Sequence, residues 1–311
     1  MEEHVLDLYP PLLHEHVQSV IGPFYVTANF RPAGARTGVW RLQTGKASYY
    51  VKTFSRRERW VSEVYAYQHW MPQLKPYVPE LVAVFEEEGW QAILITAVDG
   101  TIMRDTVLTR GEEQAAYRKA GELTHALHRL EPGGWFGRIS EDGQPPSQES
   151  EQDAVQYVSN AIREMKIKCE EQKLLSPREM ELAEWALQNV EGFAGARPVP
   201  VSWDSTPGNW LVDANGRLCG MIDFENMLWG VDVDQFSILF ERYFMDNPAA
   251  RGAFFGGYGL EALAGKAVQI KICCIKLAIA DIYWGTQNGW DRVRDYGRRL
   301  LKRIAEDDDW V

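Results

Sequence analysis

Ser202-Trp203-Asp204-Ser205-Thr206-Pro207-Gly208-Asn209 places an aspartate five residues before an asparagine, and Met221-Ile222-Asp223-Phe224-Glu225 follows with a second aspartate. Between them lie Trp210-Leu211-Val212, the turn Asp213-Ala214-Asn215-Gly216, and the run Leu218 to Ile222. An Asn-Gly pair centred between two apolar runs signals a two-residue hairpin. Counting outward from Asn215-Gly216 pairs Val212 with Cys219, Trp210 with Met221, and Asn209 with Ile222. Asn209 and Asp223 then stand at neighbouring rungs, roughly 5–8 Å apart. A carboxylate and an amide oxygen at that separation can share one Mg²⁺, which takes a few protein oxygens together with substrate phosphates. Asp204, a short loop away, is left to receive a proton. Asp and Asn beside a turn are also ordinary turn formers. Three such positions linked by one hairpin point instead to phosphoryl transfer.

The arrangement resembles the kinase order of a catalytic Asp, an Asn five residues later, and a metal-binding Asp opening the next segment. Pro207-Gly208 before Asn209 and the close Ile222-Asp223-Phe224 narrow the resemblance to the aminoglycoside phosphotransferase and choline kinase-like family of small-molecule kinases. That family usually carries His-Gly-Asp where this chain has Ser202-Trp203-Asp204, and its histidine supports the loop. The resemblance implies an α+β, bilobal protein-kinase-like fold: an N-terminal antiparallel sheet lobe over residues 1–98, which binds nucleotide, and a larger, mainly helical lobe over 99–311. It implies that Asp204 is catalytic, that Asn209 and Asp223 hold Mg²⁺, and that ATP, or GTP, is the donor.

A kinase also needs an upstream lysine for the nucleotide phosphates. Ala47-Ser48-Tyr49-Tyr50-Val51-Lys52-Thr53-Phe54 is rich in strand formers. Alternation puts Tyr50, Lys52 and Phe54 on one face, where an ammonium among aromatics wants a partner. From about Arg56 to Trp70 the spacing is helical, and Glu63 borders a stripe of Trp60, Val64, Tyr67 and Met71. Taken singly, these are a strand-edge lysine and a solvated glutamate. With the downstream constellation they read as the lysine and glutamate pair that orients phosphates.

Arg31 to Gly38, between strands near Phe24–Val26 and Val39–Leu42, is a turn whose glycines let backbone approach phosphate. It resembles the family's Gly-x-Ser-Asn-x-x-Tyr turn, with Gly34, Arg36, Thr37 and Trp40 at those positions, and only the glycine matching outright. Gly34 and Thr37 are thereby candidates for nucleotide contact. No Gly-x-x-x-x-Gly-Lys-Ser/Thr stretch exists, which argues against a P-loop enzyme. Leu81–Phe85 and Ala92–Thr96 are strand-length apolar runs separated by the acidic turn Glu86 to Gly89. Ala97-Val98-Asp99-Gly100 then breaks to a loop, the family's hinge, and by resemblance Thr96 and Val98 meet the adenine.

With 311 residues the chain has room for two lobes. Its start is acidic, unlike a secretory leader, and Ala267 to Trp284, the best membrane candidate, carries Lys271, Lys276 and Asp281. Cys169, Cys219, Cys273 and Cys274 lack metal or redox spacing, so they read as reduced thiols in a cytoplasmic protein. The net charge of −11 argues against nucleic acid and is compatible with a cationic substrate.

Beyond the hinge the pattern is helical: about Gly111–Leu130, stopped by Glu131-Pro132-Gly133-Gly134; Asp153–Glu171; Ser176–Val190; then Asp232–Phe244, Leu260–Trp284 and Trp290–Ala305. Residues 138–152 are polar and Pro-rich and read as a loop. Asp232 and Asp234 stand where the family often has an aspartate packed against the catalytic loop, so Asp234 reads as structural. The arginines of the last helix read as a solvated face. Asp307-Asp308-Asp309 reads as a frayed acidic tail.

Candidate carboxylates for the acceptor are Glu225, Glu241, Asp246, Asp281 and Asp291; of these, Glu225 stands beside the metal aspartate, and Asp281 is a charge in an apolar helix that needs either an internal cation or an amine of the substrate. Twelve tryptophans, with Trp203, Trp210 and Trp229 flanking the chemistry, offer aromatic faces to a quaternary ammonium or a sugar ring as well as to the core. The expectation is ATP-dependent O-phosphorylation of a small, cationic molecule, an aminoglycoside or similar antibiotic, by a resistance-type kinase, monomeric or homodimeric. The alternatives are a choline, homoserine or methylthioribose kinase, and a nucleotide-binding pseudokinase.

Overall fold

The computed structural model describes residues 8–30, 37–140, 142–145 and 150–306. Gly34 and Arg36 of the glycine turn and the Asp307–Asp309 tail lie outside them.

Five strands form one antiparallel sheet in the order β1-β2-β3-β5-β4: β1 Tyr25–Asn29, β2 Val39–Gln43, β3 Ser48–Phe54, β4 Leu81–Glu87 and β5 Trp90–Thr96. β4 runs on through Glu87, so the acidic turn shrinks to Glu88-Gly89, with Gly89 at φ +89°. Alternation along the strands feeds two cores. Trp40, Leu42, Val51, Ala92 and Leu94 pack beneath helix α1, Leu12–Ile21, a helix the sequence reading did not anticipate. On the opposite face Phe54, Ile93 and Ile95 join the main core and meet helix α2, Arg57–Tyr65, which continues as a π-helical turn over Ala66–Trp70. Lys52 pairs with Ile93 and so faces α2.

The second lobe is mainly helical. α3, Arg110–His128, begins with a capping box in which Thr109 and Glu112 exchange hydrogen bonds. α4, Ala154–Glu171, and α5, Pro177–Gln188, follow. Next come α6, Asp234–Leu239, which ends in a π-helical turn over Phe240–Phe244, then α7, Pro248–Tyr258, α8, Ala267–Asn288, and α9, Asp291–Glu306. α7 falls in a stretch to which the sequence reading assigned no element: Gly252, Gly256 and Gly257 obscure its apolar face. Two of the glycines in this packing are required. A Cβ on Gly121 of α3 would fall 2.0 Å from the Phe254 carbonyl, and one on Gly257 would fall 1.9 Å from that of Arg118, so backbones touch where side chains would stand. The helix expected from Leu260 is broken at Gly265, φ +76°, and α8 starts only at Ala267. Among the described residues no helix is long and apolar enough to cross a membrane.

Two small sheets hold the segments of interest. β7, Val199–Ser202, pairs with β10, Met227–Gly230, which was not anticipated. β6, Thr101–Ile102, β8, Trp210–Val212, and β9, Leu218–Met221, form the other. Because Ser202 opposes Met227, the loops leaving β7 and entering β10 are neighbours. The hairpin differs in detail from expectation. Trp210 does pair with Met221, but Val212 pairs with Leu218 rather than Cys219, and the loop is Asp213–Arg217. The Asp213 carboxylate accepts from the Asn215 and Arg217 amides, and only Gly216 takes positive φ, +70°, which widens the loop and shifts the register by a bulge.

β7 is locked to α3 by polar groups in the core. The Gln235 Oε1 accepts from the Ser202 amide at 3.0 Å and from His128 Nε2 at 3.2 Å, while His128 Nδ1 accepts from the Tyr258 hydroxyl at 3.0 Å. Burial pushes His128 down to about 4. The sign follows: above the unfolded value of about 6.5 the ring is neutral in both states, and between there and about 4 only the unfolded chain takes up the proton. Stability from this group is lost as pH falls through that window. The expected measurement is a His128 imidazole NMR signal that titrates near 4; a midpoint near 6.5 would show the ring to be solvated.

Candidate functional site

At the centre stands the Lys52 ammonium, with three carboxylates around it. Nζ lies 2.7 Å from Glu63 Oε2, 2.7 Å from Asp223 Oδ1 and 3.0 Å from Glu225 Oε2. The four residues come from three segments of the chain. Lys52 is in β3, Glu63 on α2, and Asp223 and Glu225 lie in the turn between β9 and β10. Glu63 is buried, and its second oxygen accepts from the Phe224 amide at 3.4 Å. The Phe224 ring packs edge-on against Tyr67 of the π-helical turn, so the aspartate turn is held by its backbone and by its apolar side chain. Asp223 has φ +66°, the left-handed region that a non-glycine residue visits at a cost and that Asp tolerates better than most.

The electrostatics of this group are collective. Burial pulls the Lys52 ammonium down, but Glu63, Asp223 and Glu225 more than offset it, and the group stays charged with its pKa raised. Burial pushes Glu63 up to about 7, against the pull of Lys52 and with the push of Asp223 and Glu225. A raised lysine and a raised glutamate are incompatible in a simple ion pair. They are compatible here because three carboxylates face one ammonium.

Asp204 lies in the loop after β7, half-buried. Its amide donates weakly to Ser202 Oγ at 3.4 Å, and its carbonyl accepts from Asn209 Nδ2 at 2.9 Å. The Asn209 carbonyl accepts from the Ile222 amide at 3.0 Å, as the hairpin count anticipated. With its NH₂ committed to Asp204, the Asn209 amide keeps its oxygen for another partner. Burial raises the Asp204 carboxyl above its usual range, as does Asp223, while Arg242 lowers it. Asp204 and Asp223 are therefore close enough to sense one another. Asp223 and Asn209 offer one carboxylate and one amide oxygen, the hard oxygen donors that Mg²⁺ prefers, so these residues fit that ion. Glu63, Asp223 and Glu225 also converge within 4.8 Å, but Lys52 already serves those oxygens.

The remaining expected site residues divide. Thr37 lines, with Gly38, Lys52, Arg59 and Glu225, a cleft of about 260 Å³. Thr96 spends its amide on the Glu80 carbonyl and its hydroxyl on the Glu80 amide at 2.8 Å, which leaves Val98 as the freer of the two linker residues. Glu225 stands on the lysine side of the site, its oxygens engaged by Lys52 and Arg59 rather than turned toward an acceptor. Asp281 on α8 lies 3.8 Å from Arg242 Nη2, beside buried Glu241. Burial and Asp281 both push Glu241 well up, against the pull of Arg242. The arginines of α9 are not all solvated: Arg298 holds Glu179 and the Leu174 carbonyl. Sequence reasoning missed Arg59, Gln235 and His128. Arg59 is one helical turn before Glu63, a spacing that could have flagged it; the other two have no local signature.

The sequence profile of the phosphotransferase enzyme family matches residues 27–267. No curated protein matches the chain. Among solved structures, a thermostable mutant of aminoglycoside phosphotransferase APH(4)-Ia in ternary complex with AMP-PNP and hygromycin B superposes with a TM-score of 0.73 at 13% identity, over 95% of this chain and 98% of that one. ADP-bound aminoglycoside phosphotransferase APH(2'')-Ib gives 0.60 at 17%, over 96% and 98%. The gentamicin–APH(2")-IIa complex gives 0.59 at 17%, over 94% and 95%. The shared architecture is the bilobal α+β one.

Replacing Glu63 by Gln isolates the contribution of this raised carboxyl. A glutamate raised in the folded state stabilises below its unfolded value and loses that contribution as pH rises through the folded one. Relative to Glu63→Gln, the wild-type melting temperature should fall as pH is raised from about 4.5 to about 7 and level off above. Parallel melting curves across that interval would show that Glu63 does not carry the proton.

Proposed function

The chain belongs to the phosphotransferase enzyme family, and on that premise we propose that it transfers the γ-phosphoryl group of ATP to a hydroxyl of a small, amine-bearing molecule. In the step, the acceptor oxygen bonds to the γ-phosphorus as the bond to the β–γ bridging oxygen breaks. ADP leaves with that electron pair, and the hydroxyl proton passes to Asp204. The raised carboxyl makes Asp204 a better proton acceptor than an exposed aspartate. Lys52 turns from its carboxylates to the α/β-phosphates, with Glu63 keeping it aimed. Asp223 and Asn209 would hold Mg²⁺, which neutralises charge on the phosphates. Thr37, Gly34 and the Val98 backbone complete the nucleotide side, with residues 1–98 as the nucleotide lobe and 99–311 as the acceptor lobe. Asp281 supplies negative charge on the acceptor side, while Glu225 holds Lys52 and Arg59 on the nucleotide side. The cysteines are free, in keeping with a cytoplasmic enzyme.

The observation that supports this most is the Lys52 ammonium, 2.7 Å from both Glu63 and Asp223. Three elements distant in sequence spend buried charge on one point, which a merely structural ion pair does not require. The structures that resemble this chain include complexes with hygromycin B and gentamicin, and we read the acceptor as a polyhydroxylated amine of that general kind.

The test is ADP release with Mg²⁺–ATP across hygromycin B, gentamicin, choline and homoserine. Asp204→Asn and Asp223→Asn should each lower kcat by roughly a thousandfold or more, with melting temperatures close to wild type. Since only ionised Asp204 accepts the proton, activity should be lost as pH falls through its raised pKa. The acid limb should then lie above the ordinary 3.8 and vanish in Asp204→Asn. Turnover by either variant at the wild-type rate would refute the assignment.

A further inference from the structure

Trp203 precedes Asp204 directly, yet it is 42% exposed while Ser202 on its other side is buried. An exposed indole is ordinarily loose, and this one is fixed. Its Nε1–H donates to Asp234 Oδ2 at 3.2 Å, and the same oxygen takes the Lys276 ammonium at 2.6 Å. Asp234 and Lys276 are both buried, so the polar edge of the ring is anchored on an ion pair in the core. Lys276 Nζ also lies 5.8 Å from the indole centroid and 5.6 Å from that of Tyr157, which places a buried cation against the inner face of Trp203. The exposed area is accordingly apolar ring, with its hydrogen-bonding group already spent.

We propose that Trp203 is a stacking platform of the acceptor site, and that the reactive hydroxyl is borne on a ring with an apolar C–H face, a sugar or cyclitol. The proposal rests on the phosphotransferase reading and narrows its acceptor. Consecutive Cα atoms stand about 3.8 Å apart, so the Trp203 ring springs from the backbone directly beside Asp204. A ring that stacks there delivers a ring hydroxyl to the proton acceptor. Because the indole is held before the ligand arrives, little side-chain freedom is lost on binding. A quaternary ammonium head group would seek an electron-rich ring face, but Lys276 already draws on this ring from beneath. The platform thus favours neutral C–H surface over choline-like cations, and amines on the acceptor are met elsewhere. Trp203 determines specificity; it takes no part in proton or phosphoryl transfer.

The experiment measures Mg²⁺–ATP binding by calorimetry and ADP release with hygromycin B, gentamicin, methyl α-glucoside and choline, for wild type, Trp203→Gly and Trp203→Phe. Wild type should turn over at least one ring acceptor in preference to choline. In Trp203→Gly, KM for that acceptor should rise about tenfold, the equivalent of 1.4 kcal/mol, with kcat changed far less. Trp203→Phe restores a stacking ring without the N–H and should recover most of the affinity. A loss of kcat at unchanged KM would mark a loop-supporting role and overturn the proposal, as would an unchanged KM in Trp203→Gly. Preference for choline would also overturn it while leaving the phosphotransferase reading in place, whereas ATP binding with turnover of none of the acceptors would overturn both. Absence of ATP binding by wild type would sink both.

Discussion

The buried carboxylate of Glu63 is the constraint on which the site depends. One oxygen holds the Lys52 ammonium and the other the Phe224 amide, so a single side chain joins the sheet, helix α2 and the turn that carries Asp223. Breaking a buried pair of this kind by removing one partner typically costs about 3–5 kcal/mol, because the remaining charge is stranded. The arrangement therefore fixes where α2 sits against the sheet. It also crowds three carboxylates around one ammonium, an excess of negative charge that a divalent cation and a triphosphate would redistribute.

The catalytic strand is held by different means. Ser202 takes the place of the histidine expected by resemblance, and support comes instead from Gln235, which accepts from the Ser202 amide while His128 donates to it from α3. A neutral buried imidazole between a tyrosine hydroxyl and a glutamine oxygen is fully paired. The network satisfies its polar groups without any charge. Nearby, Asp234 and Lys276 are charged and buried, but they too are matched with each other, and the indole of Trp203 completes the set.

Much of this was legible in the chain because the signals are local. Strand alternation placed Lys52 on the inner face, helical spacing placed Glu63 opposite it, and the hairpin count brought Asn209 beside Ile222. What failed to show was nonlocal or disguised. The Asp213 side chain rewrote the hairpin turn, and with it the partner of Val212, through two hydrogen bonds that composition alone does not reveal. Helix α7 hid behind its glycines. Glu225 stood next to the aspartate in sequence, and only the fold shows that Lys52 and Arg59 claim it. Gln235 and His128, 107 residues apart, meet only once the helices pack.

The mutual seat of Gly121 and Gly257 carries a lesson for anyone reshaping this protein. With the two backbones in direct touch, α3 and α7 behave as one welded slab, and not even a methyl group fits in the seam. Laboratory evolution aimed at new acceptors can vary the outer walls of the lobe freely, but a library that randomises either glycine would be populated mostly by chains that cannot close.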